Sequence, residues 1–506
     1  MATKPSSTPP IADALVHFQC AYTSLALLSQ RGVLLREVPV FARLCPLFKR
    51  VVMATYGEAA DADLAQSLKP KSWRGTLSCV SNDAAQETAI FQSSVPRRVL
   101  EQLKASRCKS ALVYADQHHG GEVAAQTARL LRQNGLRVGL VARCGYHWSW
   151  TVARDTAPYD QRAIAASMLE GDLCRAADVV IATTRRIADN LCWQHRLDAD
   201  KLSIVPNFVS RDGQPPPFGR RAPGTVLYVG RLEPEKRVEL LIRATAMAAR
   251  TNPAIRLIII GDGSLSTELH TLAAAFHAPV EFRARVPHAE ILREMGRCNI
   301  YAQVSRFEGH PKTILEAMST GAPTIVTRGP GVDDEINPNV TGLVVGDAES
   351  DIAAALVWLS RNPDAARRMG ARASRDILSR LSFPILFRRL ESCLRSAMVL
   401  AGDSGSIRPP VSIVRWEQTL LEAGPDGAAA EFASSVGAYV KRLDPHIRKV
   451  FLNSLAARVG SLHHTPGMSE SVGGARESRG LITKVGQPAQ GLSTVNPSPR
   501  ARASRR

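Results

Sequence analysis

No two of the nine cysteines (Cys20, Cys45, Cys79, Cys108, Cys144, Cys174, Cys192, Cys298 and Cys393) stand in a C-x-x-C pair. An odd and scattered set argues against a disulfide framework and against structural zinc, and fits buried thiols in a reducing compartment. The opening Met-Ala-Thr-Lys-Pro-Ser-Ser-Thr-Pro-Pro has no apolar run, so no signal peptide is expected. The most apolar stretch near the N-terminus, residues 20–35, is broken by Gln30 and Arg31 and is too short to span a bilayer. The expected location is the cytoplasm, at most peripheral on the inner face of the membrane. Acidic residues are scarce as well: 46 Asp and Glu stand against 64 Lys and Arg, a formal charge of +18. The segment 461–506 holds seven Arg/Lys and two Glu, so it explains only +5 of that excess. Nucleic acid, an anionic membrane surface or a phosphorylated substrate can use such charge, and so can plain solvated faces. No nucleic-acid recognition motif accompanies it, so nucleic acid is not an expected partner.

What is present is a rhythm. The 506 residues suffice for two or three domains, with an ordinary hydrophobic content of 45% and sparse aromatics at 5%. Residues 1–10 read as a disordered leader and 12–29 as helical. Strands are expected at Lys49–Tyr56, Ser110–Tyr114, Arg137–Ala142, Val179–Thr183 and Leu202–Val205, with helices between them, while 75–100 is ambiguous. Asp212–Gly224, rich in Pro and Gly, is the best linker. After it come strands Thr225–Val229, Arg256–Ile260, Ile300–Val304 and Thr324–Thr327, alternating with helices 236–249, 266–276 and 311–319. Alternation of this kind implies parallel sheets with helical crossovers, an α/β class. The expected organisation is therefore a first domain at 11–207, a linker at 208–224, a second domain at 225–382, a helix at 383–400 that can cross back to the first domain, a helical extension at 401–459 and a disordered basic tail at 460–506.

Residues 305–323 carry the densest chemistry. Glu308 and Glu316 stand eight residues apart around a helix start, with Pro311 suited to the first helical position and Gly321 and Pro323 as the stop. At ~1.5 Å per residue the two carboxylates are separated by roughly 10 Å or a little more, a spacing for gripping two ends of one ligand. The helix N-terminus between them offers free N–H groups to a phosphate. Two more loops leave strands on the same rim: Gly230-Arg231 with Lys236, which can bind phosphate oxygens, and Gly261-Asp262-Gly263, whose glycines allow close backbone approach. In open α/β sheets ligands bind at such carboxyl ends. Arg285, in the run Arg285-Val286-Pro287-His288-Ala289-Glu290, can flank a base or simply precede a helix cap.

These motifs resemble the family-4 glycosyltransferases. The match rests on Gly230-Arg231 with Lys236, on Gly261-Asp262-Gly263, and on Glu308 and Glu316 in a Phe-Glu-Gly-x-Pro-x-x-x-x-Glu-Ala setting, with weaker support from Val205-Pro206-Asn207. It is specific over 202–346 and silent on 400–506. The resemblance implies a GT-B architecture, two Rossmann-like domains facing a cleft, with a nucleoside-diphosphate sugar bound mainly by the second. It implies that Arg231 and Lys236 hold the diphosphate, that Glu316 meets the ribose and that Glu308 meets the donor sugar beside the reacting carbon. Gly309, His310, Pro311, Lys312 and Thr313 would add to the sugar and phosphate grip. Transfer to a saccharide or lipid-linked acceptor would retain anomeric configuration, in surface polysaccharide or glycolipid synthesis. Fixed cations would stabilise the departing nucleoside diphosphate, so no metal and no cofactor are expected.

The first half departs from the pattern. Gly57 and Gly120-Gly121 are imperfect candidates for the family's glycine-rich loop. His118, His119 and His147 qualify by position for the acceptor-side histidine, with His119 taken as the catalytic one, and Arg143–Trp150 is an aromatic segment of the kind that stacks on sugars. Asp61-Ala62-Asp63 and Asp198-Ala199-Asp200 have the Asp-x-Asp form of a metal motif but read as caps or turns. Rival readings are an epimerase or phosphorylase of the same architecture and a non-catalytic scaffold at the membrane.

Overall fold

The computed structural model describes residues 9–403, apart from 21–22, 31–33, 84–87, 119, 155–160 and 210–220. Residues 1–8 of the expected leader, most of the linker and all but 401–403 of the C-terminal extensions therefore lie outside the described residues. Two parallel sheets organise the rest, flanked by helices. The first has seven strands, β1 (Ala12–Phe18), β2 (Phe48–Ala54), β3 (Thr76–Val80), β4 (Ser110–Ala115), β5 (Arg137–Cys144), β6 (Val179–Ala182) and β7 (Leu202–Ile204), in the order β3-β2-β1-β4-β5-β6-β7. The second has six, β8 (Ala222–Val229), β9 (Arg256–Ile260), β10 (Val280–Arg283), β11 (Cys298–Gln303), β12 (Thr324–Thr327) and β13 (Leu343–Val345), in the order β10-β9-β8-β11-β12-β13. Both orders reverse beside their first strand, which is the doubly wound plan with its ligand crevice at the reversal.

Each sheet is apolar on both faces. In β4, Ala111, Val113 and Ala115 enter one core cluster while Leu112 and Tyr114 enter the cluster on the opposite face. A strand covered on both sides reads as one apolar run without alternation. That explains the one large difference from expectation. Residues 12–18 form the central strand β1 rather than the start of a helix, because both faces are covered and even His17 is buried. The ambiguous 75–100 resolves into β3 and the helix Thr88–Ala105.

Smaller differences have local causes. Ala222–Gly224, read as linker, already belong to β8; Gly224 has φ +69°, and the register with β11 shifts between Cys298 and Ile300. Ser382 separates the helices Pro363–Leu381 and Phe383–Asp403, so the expected helix at 383–400 extends to Asp403, and Asn362 separates Glu349–Arg361 from Pro363–Leu381. The last helix lies on the first sheet, where Phe387, Cys393, Leu394, Ala397 and Met398 join its core. A Cβ at Gly139 of β5 would meet the Ala397 carbonyl oxygen at 2.9 Å, so glycine permits that approach. The chain passes between the halves twice, and the passages run side by side: the Val209 N–H donates to Leu381 O at 2.9 Å and the Phe383 N–H to Val209 O at 3.1 Å.

Candidate functional site

Three loops of the second half meet as their glycines allow. Gly261 has φ +154°, and a Cβ there would stand 1.9 Å from the Gly230 carbonyl oxygen; at Gly263 it would meet the Leu232 oxygen at 2.4 Å. Backbone bonds fasten the loops: Gly230 N–H donates to Ile260 O (3.1 Å), Leu232 N–H to Asp262 O (3.0 Å) and Leu265 N–H to Leu232 O (3.0 Å). The Asp262 side chain accepts from the Gly263 N–H at 2.8 Å.

Glu308 is the hub of the rim. Its Oε1 accepts from Lys236 Nζ at 2.5 Å, Gln303 Nε2 at 2.6 Å and Ser305 Oγ at 2.8 Å. Gln303 is in turn fixed through its Oε1 by the Tyr301 hydroxyl (2.8 Å) and Thr313 Oγ1 (2.9 Å). Lys236 and Glu308 are nearly enclosed, with side chains 13% and 11% exposed, so their attraction is little screened. Arg231 differs: its side chain is 62% exposed and its guanidinium bonds Glu235 at 2.6 Å, so of the two expected phosphate cations only Lys236 touches Glu308.

The helix after this loop runs Lys312–Ser319 and begins one residue later than expected. Pro311 is extended (φ −73°, ψ 107°) and its carbonyl already accepts from the Leu315 N–H at 3.3 Å, as an N-cap does. Glu316, buried at 6% exposure, faces His288 Nε2 at 2.9 Å. His310 is turned toward the crossing: its Nδ1 accepts from the Asn207 N–H at 3.0 Å, which leaves Nε2 to donate to Glu335 at 3.2 Å. Burial works to raise the Glu335 pKa, but the bonds from His310 and Arg380 prevail and hold it below the ordinary carboxylate range. Arg285 is exposed on the loop before the helix His288–Arg297.

Across the crevice, Gly309 lies against the first half, where a Cβ would meet Gly145 O at 2.8 Å and Tyr146 Cβ at 3.0 Å. Trp150 meets Phe307 edge-on at 6.0 Å, with the Arg154 guanidinium over the Phe307 ring. Asp116, at the end of β4, is pushed upward in pKa by burial, while the charges of Arg143 and Lys312 oppose the shift. Arg186 pairs with Asp334 at 3.2 Å, a further tie between the halves, and Arg143 bonds Asn207, at the end of the first half, at 2.7 Å.

The candidate acceptor-side residues are buried rather than presented. His118 Nε2 donates to Tyr146 O at 2.8 Å, and its Nδ1 lies 3.6 Å from Cys144 Sγ. Burial lowers the pKa of His118 despite the charge of Glu170. His147 Nε2 lies 3.3 Å from Glu170 Oε1, to which His195 Nε2 (2.8 Å) and Ser149 Oγ (2.7 Å) also bond. Burial would raise the Glu170 pKa, but His147 and His195 outweigh it and drive the net shift well below the ordinary range. His119 lies outside the described residues. No glycine follows β1: the next helix, Leu25–Gln30, instead has its Leu25 and Ala26 N–H groups taken by Asp61 at 2.7 and 2.9 Å. Gly57 packs on Asp61, and Gly120, at φ +82°, precedes the helix Gly121–Gln133 after β4. Asp61 is thus a capping group, and Asp198 precedes the short turn Ala199–Lys201.

Gln303, Ser305 and His288 were not singled out from sequence as partners of the two glutamates. A glutamine in the otherwise apolar run Ile300–Val304, five residues before Glu308, is the signal that could have marked the first.

Residues 217–376 match the glycosyl transferases group 1 family. This match agrees with the resemblance read from the motifs. The D-inositol 3-phosphate glycosyltransferase of Nocardia farcinica is 30% identical over 225 residues, 40% of this chain and 49% of that protein. A GDP-mannose-dependent monoacylated alpha-(1-6)-phosphatidylinositol monomannoside mannosyltransferase of Corynebacterium glutamicum is 28% identical over 174 residues, 33% of this chain and 45% of that protein. The chain thus spans about half the length of these curated relatives. Among solved structures, Anabaena HepE in complex with UDP-glucose superposes with a TM-score of 0.58 at 16% identity, over 76% of this chain and 99% of that one. Sucrose-phosphate synthase of Thermosynechococcus elongatus gives 0.57 at 17% identity, over 76% and 99%. The fold is GT-B.

Proposed function

We propose that the chain is a glycosyltransferase that moves a sugar from a nucleoside-diphosphate donor to a saccharide or lipid-linked acceptor with retention of configuration. The observation that carries this reading is Glu308: a carboxylate held on one oxygen by Lys236, Gln303 and Ser305, at the mouth of a helix N-terminus. In this reading the sugar sits by Glu308 and the ribose by Glu316, while Lys236 and Arg231 receive the charge that develops on the departing diphosphate. Arg231 would exchange its exposed contact with Glu235 for phosphate oxygens. Glycosyltransfer is also the activity named for the curated relatives. Acceptors drawn from surface polysaccharide or glycolipid synthesis, and attraction to an anionic membrane, belong to the same proposal; among the described residues no helix is long and apolar enough to cross a membrane.

Thermal unfolding with UDP, GDP and ADP tests it. One nucleotide at saturating concentration should raise the melting temperature by about 5 °C, and Glu316→Ala should abolish the rise. No response to any of the three overturns the reading. Cations on the chain replace a donor-site metal in this scheme, so excess magnesium or manganese should leave the transfer rate unchanged; a rate that requires either ion overturns that part. An anomeric proton signal of inverted configuration in the product would overturn retention alone.

A further inference from the structure

The first half contains a donor set with no part in the proposed transfer. Cys144 ends β5, Cys174 lies on the helix Gln161–Ala176, and His118 follows β4; all three are buried, Cys144 and Cys174 completely. Cys144 Sγ is 3.9 Å from Cys174 Sγ and 3.6 Å from His118 Nδ1, and the three atoms lie within 4.8 Å of one another. For tetrahedral zinc, bond lengths of about 2.3 Å to sulfur and 2.0–2.1 Å to nitrogen imply S···S and S···N edges of about 3.8 and 3.5 Å. The two separations from Cys144 match those edges, and the third falls within 4.8 Å.

The imidazole is also set up for a ligand. Its Nε2 faces a carbonyl oxygen, which can only accept, so the proton is on Nε2 and the Nδ1 lone pair points at the thiols. The Glu170 carboxylate stands 3.6 Å from the same Nε2 and is itself held by His195, His147 and Ser149. A metal-bound histidine commonly has its other ring nitrogen anchored in this way by a carbonyl or carboxylate. We propose that Cys144, Cys174 and His118 form a zinc site that braces the first-half lip of the crevice, since the loop leaving Cys144 is the one that meets Gly309. Two thiolates and an imidazole favour zinc over oxygen-seeking ions, and the two negative sulfurs neutralise its charge. On loading, each sulfur keeps the electron pair of its S–H bond as the metal bond forms, and two protons leave to water.

The rival is a plain thiol–imidazole network. The two are separated on the full chain, purified with reductant, equilibrated with micromolar zinc and washed before elemental analysis. The expected result is about one zinc per chain, lost in Cys144→Ser and in Cys174→Ser and retained in Cys298→Ser, which removes a buried thiol of the second half. Cobalt substitution of the wild-type chain should show a sulfur-to-cobalt charge-transfer band, a readout that needs no variant to fold. A wild-type chain that retains no zinc and gives no such band overturns the proposal. So does zinc that stays bound in both serine variants, or a Cys144–Cys174 disulfide in protein isolated without reductant.

Discussion

The two halves fix their crevice-facing loops by different means. In the second, main chain locks on main chain: Gly261 fits under the Gly230 carbonyl, the Leu232 N–H donates to the Asp262 carbonyl, and the charged side chains stay at the rim. In the first, side chains do the locking: Glu170 gathers His147, His195 and Ser149 inside the fold. A backbone lock leaves its side chains free to meet a ligand. A buried polar lock is committed to the structure, and so the half with more histidines near its rim is not thereby the more catalytic one.

Glu170→Ala should have the largest effect, because it strands three buried partners; urea denaturation should show a loss of about 3–5 kcal/mol, with nucleotide binding by the second half retained. Lys236→Ala should act chiefly on chemistry, lowering the rate of donor turnover about 100- to 1000-fold, with a smaller loss of stability than Glu170→Ala because Gln303 and Ser305 still hold Glu308. A variant that unfolds instead would place Lys236 among the structural locks. His17 gives a pH test of the first half. Burial lowers its pKa from 6.5 to about 4, with Glu37 opposing. Above pH 6.5 both states are neutral and stability is full; below it the unfolded chain takes a proton that the folded chain refuses. Stability should therefore fall by on the order of 3 kcal/mol between pH 6.5 and 4, and His17→Phe should flatten that part of the curve. Gly261→Ala should cost about 2 kcal/mol or more and weaken nucleotide binding together with it, measured by calorimetry. The smallest effect belongs to exposed Arg231: Arg231→Ala should weaken nucleotide affinity about tenfold and leave unfolding unchanged.

Legibility followed the same division. The strands Arg256–Ile260 and Thr324–Thr327 lie where apolar runs and flanking glycines put them, and the three-loop rim could be read because each loop is a few consecutive residues. The central strand β1 was hidden because burial on both faces removes the alternation that marks a strand. The Glu170 cluster draws on positions 118, 147, 149, 170 and 195, which no local spacing relates. The same holds for Cys144 and Cys174: the absence of a C-x-x-C pair says nothing about thiols brought together from a strand end and a helix.

The helix Phe383–Asp403 has a consequence for the newly made chain. Residues that complete the core beneath β1, β4 and β5 are among the last of the described chain to be synthesised, after the whole of the second half. On the ribosome, residues 222–381 can close on their own core while the earlier half waits with part of one sheet face, chiefly over β5, uncovered. At about 5–20 residues per second that face is exposed for tens of seconds at the slower rates, the interval in which a chaperone or a second nascent chain would find it.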